Sequence, residues 1–394
     1  MFIRMVFEMN TQMNKIFPTH VYAETLHVGN GTVLNNALIK IDNARFSEIR
    51  SGISLDDIPK QTITSPVVAP GFIDLQINGA RDVQFTDTPT VNAVEAIVLG
   101  ARAGGAAYVL PTFTTAPGDQ YVEALCAVKA AQDAGIKGIL GMHLEGPFLS
   151  PKRPGIHAKQ NIRPMLQLDV DKLKSSSVGT LLITLAPECQ DNGILEQLIA
   201  AGIIVFAGHS EAKSSDIKDA ASKGLRGATH LFNAMSQMSA REPGLVGSVL
   251  GSPQLFAGVI ADGHHVDWSN IGIAAKLKPN HLCLVTDSMC SLEGTKTTFE
   301  IHGKEISLLA GKLTDKNGTL AGAHISLDNC VRNVIEHCDV APELAIKMVT
   351  LNPATALGLE SDLGQIKLGL RASMTLLSRK FESNAVIVEG ECFR

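Results

Sequence analysis

The sequence predicts an α/β fold: a (β/α)8, TIM-like barrel with a small β-sandwich domain formed from both termini. Three observations lead there. Short apolar, β-branched runs alternate with longer amphipathic stretches; there are eight such runs; and the two ends of the chain carry a different, shorter alternation. The runs are 68–76, 106–111, 138–143, 180–186, 203–207, 227–230, 256–261 and 281–286. Between them, 91–103 and 121–134 carry apolar residues at helical spacing, with Gly104 and Gly135 following as helix stops. Residues 194–201 before Gly202 and 214–223 before Gly224 repeat the design. Such alternation implies parallel strands joined by helical crossovers, and eight units match a closed barrel. An open doubly wound sheet is the competing arrangement. No GxGxxG or GxxxxGK[ST] follows the first run, which weakens a nucleotide-binding reading. Residues 19–66 hold short alternating segments such as 37–41 and a polar turn, Gly29-Asn30-Gly31. The tail from 364 does the same at 374–377 and 385–388, and both ends read as antiparallel strands. The expected division is a barrel over 67–360 and a β-domain built from 1–66 and 361–394.

Composition narrows the function. A chain of 394 residues, 45% hydrophobic and 19% charged, can bury a full core and is not disordered. Its net charge of -5 offers no basic field for wrapping nucleic acid, and 5% aromatic residues with one Trp (Trp268) offer no base-stacking platform. Seven scattered cysteines without a CxxC pair read as reduced thiols of a cytoplasmic protein. The first 17 residues are mildly apolar, but Arg4, Glu8 and Lys15 interrupt them and no small-residue cleavage site follows; Met1, Met5, Met9 and Met13 leave the start open. No stretch approaches ~18 uninterrupted apolar residues, so no membrane span is expected.

Polar and ionisable residues gather at the ends of the apolar runs. Gln76 and Asn78 follow the first, His143 and Glu145 the third, His209 the fifth, His230 the sixth, residues 262–265 the seventh and Asp287 the eighth. In a barrel those ends converge on one face, so residues spread over the chain can share one pocket. Glu145, His209 and His230 offer one carboxylate and two imidazoles; three protein ligands plus water is the usual make-up of a catalytic zinc site. Two imidazoles also suit iron, cobalt or nickel, and manganese is admitted beside them. The expectation is one divalent ion per chain, zinc first, acidifying a water toward a pKa of ~7. Asp287 is the natural base for that water. Singly, each residue has a plainer reading: a hydrogen-bonded loop histidine, a Glu145 paired with Arg153, a helix-capping Asp287. The joint pattern at four separate run ends is what those readings do not predict.

At these residues the chain resembles the N-acetylglucosamine-6-phosphate deacetylase family of the amidohydrolase superfamily. The matching segments include Pro70-Gly71-Phe72-Ile73-Asp74-Leu75-Gln76-Ile77-Asn78-Gly79, His143-Leu144-Glu145-Gly146-Pro147, Gly208-His209-Ser210, Thr229-His230-Leu231-Phe232-Asn233-Ala234-Met235, Arg241-Glu242-Pro243-Gly244-Leu245, Asp262-Gly263-His264-His265 and Val285-Thr286-Asp287, with Asn352-Pro353-Ala354 in the tail. The resemblance implies that Glu145, His209 and His230 hold the metal and Asp287 is the acid/base. It implies that His157, preceded by Ile156, contacts the substrate acetamide and polarises its carbonyl. Asn233, the backbone of Ala234 and Arg241 are similar to residues that hold the sugar phosphate, His265 is similar to another sugar-binding histidine, and Leu320-Ala321-Gly322 resembles a loop touching substrate through its backbone. Gln76 and Asn78 stand where many amidohydrolases have His-x-His, half of a two-metal site. Amides are poorer ligands than imidazoles, so one metal is expected, and the galactosamine-type relatives that keep His-x-His are disfavoured. A planar guanidinium suits a phosphate dianion, which supports Arg241, against its plainer reading as a salt bridge to Glu242. His264 reads as a structural neighbour of His265. Homodimers are usual in the family, with part of the phosphate site from the neighbouring subunit.

Departures from the family pattern are Ala80-Arg81-Asp82 after the first run, Ser236-Gln237 and Ser373; Arg81 is expected near the pocket mouth, where it bears on the choice of sugar. The expected reaction is hydrolysis of the acetamide of N-acetylglucosamine 6-phosphate, with no nucleic-acid or membrane partner. The alternatives are the galactosamine epimer, another amidohydrolase reaction, or an inactive barrel serving as a binding protein. The last predicts loss of a ligand or of Asp287, and all four are present.

Overall fold

The structure, a computed structural model, describes residues 16–191 and 193–394. Readings of residues 1–15, the chain start and the mildly apolar N-terminus among them, lie outside the described residues. The chain opens with strands β1 (His20–His27), β2 (Val33–Asp42), β3 (Arg45–Arg50) and β4 (Ile63–Pro70). Barrel strand β5 (Phe72–Ile77) and a short hairpin, β6 (Gly79–Ala80) and β7 (Val83–Gln84), follow. Then α1 (Val91–Ala103), β8 (Ala106–Thr114), α2 (Tyr121–Asp133), β9 (Gly141–Glu145), α3 (Gln167–Lys174), β10 (Thr180–Leu185) and α4 (Ile194–Ala200) alternate. The alternation continues through β11 (Ile204–Ala207), α5 (Ser214–Ser222), β12 (Gly227–Ala228), α6 (Gly244–Gly251), β13 (Phe256–Ile260), α7 (Trp268–Leu277) and β14 (Leu282–Val285). A three-stranded insert, β15 (Thr298–Ile301), β16 (Lys304–Leu309) and β17 (Lys312–Asp315), comes next. Helices α8 (Leu327–His337), α9 (Pro342–Val349) and α10 (Leu351–Ala356) and strands β18 (Met374–Leu377), β19 (Ser383–Val388) and β20 (Glu391–Phe393) end the chain.

The eight expected barrel strands are present, in the order β5-β8-β9-β10-β11-β12-β13-β14, and each hydrogen-bonded pair is parallel. Local chemistry supports the crossovers. Thr90 caps α1 by accepting the Ala93 N–H, Gly104 closes it, and the helix buries Val94, Ile97 and Val98, each contributing about 1.5–3 kcal/mol. The strand bounds shift from the runs by up to three residues, as in β8 and β9, and two runs are divided or cut short. The first divides at Gly71, so that β4 joins the terminal sheet and β5 the barrel; a Cβ at Gly71 would sit 2.5 Å from Ala107 Cβ, and only glycine passes there. The sixth contributes only Gly227 and Ala228 as strand, because His230 turns to a left-handed φ of 29°.

Closure comes from the first and last strands. The Asp287 N–H donates to the Gln76 carbonyl at 2.8 Å, and the Asn78 and Gly79 N–H groups to the Ser288 carbonyl at 2.8 and 3.0 Å. Beneath them the buried Asp74 carboxylate accepts from the Thr286 hydroxyl at 2.6 Å and from the Thr286 and Gln76 N–H groups at 3.2 Å each.

Both ends of the chain meet in one seven-stranded sheet, β20-β19-β18-β4-β1-β2-β3. The join is β4 against β18, antiparallel, with Pro70 opposite Met374. The expected antiparallel pattern holds except between β1 and β4, which run parallel because the β2–β3 hairpin and a crossover lie between them. The Phe46 N–H donates to Leu370 O and the Ala372 N–H to Ala44 O, drawing the sheet around a separate core that includes Val21, Ile39, Phe46, Met374 and Ile387. Among the described residues no helix is long and apolar enough to cross a membrane.

Burial pushes the Asp74 carboxyl up to about 7, against partial relief from the Thr286 and Gln76 bonds. A carboxyl whose folded value exceeds its unfolded value of ~3.9 favours the fold at low pH and disfavours it as pH rises through the folded value. Asp74→Asn removes that titration while keeping an acceptor for Thr286. The stability difference, variant minus wild type, should therefore grow by up to a few kcal/mol between pH 5 and 8. Urea unfolding across that range checks it; a flat difference contradicts it.

Candidate active site

Each chemically important side chain stands where a barrel strand stops. Glu145 ends β9, while His209, His230 and Asp287 each lie two residues beyond their strands. The last three have left-handed backbone, φ 46°, 29° and 50°, which turns them off the ladder and into the barrel mouth. Such conformations cost of order 1–3 kcal/mol and persist where the surroundings hold them. Gly208 permits the approach: a Cβ there would meet Thr184 Cγ2 at 2.6 Å.

Glu145, His209 and His230 are buried together, with candidate ligand atoms all within 4.8 Å of one another. Glu145 Oε1 is 2.9 Å from His230 Nε2 and 3.3 Å from His209 Nε2, and the two Nε2 atoms are 3.1 Å apart. Ligands at 2.0–2.1 Å around a tetrahedral ion lie ~3.3 Å from one another, so this triangle is close to the size one ion requires. The His209 Nδ1–H donates to the Arg153 carbonyl at 2.9 Å, which directs the Nε2 lone pair at the same point. The donor set therefore fits a divalent cation. Burial would raise the Glu145 carboxyl, but its bonds to His209 and His230 hold it well below the usual range. Burial would lower His230, yet Glu145 and then Asp287 raise it.

Asp287 faces the triad. Its Oδ1 accepts from Asn78 Nδ2 at 2.7 Å and Gln76 Nε2 at 2.9 Å, and the same Gln76 amide lies 3.3 and 3.4 Å from the Glu145 oxygens. The Gln76 amide thus acts as a neutral donor bridging two carboxylates, while Asn78 donates to Asp287 alone. Burial, with the Glu145 charge next, pushes Asp287 up to about 6. His157 hydrogen-bonds through Nδ1 to Thr115 Oγ1 at 2.8 Å, and its ring lies 4.4 Å from that of His209. Burial, then His209, keeps it well below the ordinary histidine value, hence neutral. A neutral imidazole beside a cation site can donate to a developing oxyanion or polarise a carbonyl.

A cavity of about 380 Å³ opens over these groups. Of the sequence-predicted residues, Glu145, His209, His230, Asp287, Asn78, Ile156, His157, Asn233, Ala234, His265, Leu320 and Gly322 line it. Gln76 lies beneath it through its bonds to Asp287 and Glu145, and Ala321 is buried behind it against Met289. The 320–323 segment is fastened by the Ala323 N–H to Asp287 O at 2.9 Å. His265 is oriented by Asp262, whose Oδ2 is 2.7 Å from its Nδ1. Arg241 is exposed and is not among the lining residues, nor is Arg81. His143 is a core residue, 3.1 Å from Thr112 and 2.7 Å from Thr184, with burial lowering it to about 4. His264 is exposed. Arg153 pairs with Glu211 rather than Glu145, and Asp287 caps no helix.

Sequence reasoning missed Thr114, Lys152, Met289, Ile301, His302 and Thr319, which also line the cavity. Ile301 and His302 belong to the insert, whose strand–turn–strand alternation around His302-Gly303 was the one available signal.

The amidohydrolase family matches residues 67–392. The chain is 34% identical to the N-acetylglucosamine-6-phosphate deacetylase of Haemophilus influenzae over 348 residues, 88% of this chain and 90% of that one. It is 32% identical to the N-acetylgalactosamine-6-phosphate deacetylase of Shewanella sp. (strain ANA-3) over 365 residues, 92% of each. The crystal structure of N-acetylglucosamine-6-phosphate deacetylase from Pasteurella multocida superposes with a TM-score of 0.90 at 32% identity, covering 95% of this chain and 99% of that chain.

Gly155, at φ 55°, passes close to His209: a Cβ there would lie 3.0 Å from its Cε1. Gly155→Val should displace His209 and weaken divalent-ion retention about 10–100-fold, the range seen when supporting contacts of a metal ligand are lost. Competition with a chromogenic chelator measures this, and unchanged affinity contradicts the packing described.

Proposed function

The chain belongs to the amidohydrolase family, and from that premise we propose that it hydrolyses the acetamide of N-acetylglucosamine 6-phosphate, giving glucosamine 6-phosphate and acetate. The single observation that carries the reading is the seating of Asp287 beside the Glu145–His209–His230 triad, with Oδ1 tied by two amides. When bound, a divalent ion supplies Lewis acidity and an acidified water. Glu145, His209 and His230 would hold it. Asp287 Oδ2 takes the proton from the attacking water and returns it to the departing amine nitrogen, while Gln76 and Asn78 keep the carboxylate aimed. His157 steadies the carbonyl oxygen as charge develops there. Asn233, the Ala234 backbone and His265 receive the sugar phosphate, and the 320–322 loop closes over the ring.

Zinc is the proposed ion, since one carboxylate with two imidazoles is a usual zinc set. Two amides at positions 76 and 78 support one ion rather than two. The exposure of Arg241, off its own cavity, supports a homodimer in which a second copy brings this guanidinium to the phosphate. Seven unpaired thiols support a cytoplasmic location. The galactosamine epimer is the competing substrate, because the Shewanella relative bears that name at nearly the same identity; Gln76 and Asn78 favour the glucosamine epimer.

Zinc-loaded protein assayed with both phosphorylated N-acetylamino sugars should release acetate from the glucosamine compound with the higher kcat/KM; no release from either rejects the reading. Asp287→Asn should keep substrate binding and lose kcat by on the order of 10²–10⁴. A kcat within tenfold of wild type would reject the acid/base role.

A further inference from the structure

The mouth of the barrel has two opposed sides. Counting round the closed sheet from β5, Asn233 and Ala234 follow the sixth strand, β12, whereas Thr114 ends the second, β8. In an eight-stranded barrel those positions are diametrically opposite. A row of imidazoles leads from the donor triad toward the second-strand side. Ring centroids are 4.9 Å apart for His230 and His209, 4.4 Å for His209 and His157, and 6.1 Å for His157 and His302. His302 ends the row, its ring within 28° of parallel to that of His157.

His302 does not come from a barrel strand. It occupies, with Gly303, the two-residue turn between β15 and β16, and both have left-handed backbone, φ 51° and 74°. That is the pattern of a type I′ hairpin turn, whose first position favours Asn, Asp or Gly. Histidine tolerates the conformation but is not what the turn asks for. The imidazole lines the cavity, with Nε2 3.4 Å from Thr114 Oγ1, and burial lowers its proton affinity, so it is a neutral wall. The wall is firm. Met289, Ile301, Ile306, Leu313 and Ala321 form a small core beneath the insert.

We propose that His302, with Thr114, Ile301 and Met289, walls a subsite for the acyl group of the substrate amide, and that His302 limits this group to about the size of acetyl. The inference rests on the amide-hydrolysis reading above. If the phosphate lies on the sixth-strand side and the carbonyl lies at the triad beside His157, the substituent on the carbonyl carbon points away from the sugar. The direction left for it is the second-strand side, where the imidazole row stops at His302. A longer acyl chain meets that ring. The side chain, and not the barrel, therefore sets the length limit.

The test compares kcat/KM for N-acetyl- and N-butanoylglucosamine 6-phosphate in the wild type, His302→Asn and His302→Gly. Both replacements suit a type I′ turn, so the hairpin is retained while the wall is shortened or removed. The butanoyl-to-acetyl ratio should rise at least about tenfold in one or both variants, the lower end of what one methylene is worth in a closed pocket. A ratio unchanged in both variants, with a wild type that releases acetate, overturns the acyl-subsite assignment alone. A wild type that releases no acetate overturns the amide-hydrolysis reading, and this inference with it.

Discussion

The site depends on how the barrel closes. The first and eighth strands meet through the Asp287 N–H to Gln76 carbonyl bond at 2.8 Å, and Asp74 clamps both strands from below through Thr286 and the Gln76 N–H. That junction brings an amide-bearing segment and an acid-bearing segment, more than 200 residues apart in the chain, to hydrogen-bond distance. Without it, Asp287 would have no amide donors on Oδ1, and its carboxylate would face Glu145 with nothing shared between them. Burying Asp74 opposes folding at neutral pH. The chain keeps that carboxyl where it fixes the two strands that aim the reacting groups, a local conflict of the kind expected at working sites.

The electrostatics of the mouth follow from the same arrangement. Two buried carboxylates, Glu145 and Asp287, share one donor, Gln76 Nε2. Imidazoles at positions 76 and 78 would invite a second cation; amides supply hydrogen bonds without ligating strongly. Glu145 is thus grouped with His209 and His230 in a donor set that fits one cation, and Asp287 keeps an elevated proton affinity suited to passing a proton. His157, held neutral by burial and tied to Thr115, completes the set from a loop rather than a strand.

Much of this was legible in the sequence. The eight apolar runs and their glycine stops located the barrel, and α1 spans 91–103 as its periodicity predicts. The grouping of Glu145, His209 and His230 was legible because strand ends converge, so position along the chain translates into position in space. What was not legible depends on packing. The break at Gly71 reflects a contact with Ala107 that no local pattern records. The pairing of β4 with β18 joins segments about 300 residues apart. His302 reaches the cavity only because the insert folds over it, and the exposure of Arg241 follows from a loop conformation that its motif does not encode.

The central claim, a proposal, is that amide cleavage needs a single ion, held by Glu145, His209 and His230, with Asp287 and His157 beside it. Stepwise addition of zinc to metal-stripped protein, following acetate release from N-acetylglucosamine 6-phosphate, tests it most directly. The predicted curve rises linearly and breaks sharply at one equivalent per chain. A break at two equivalents, or full activity in protein shown to retain no metal, would contradict it.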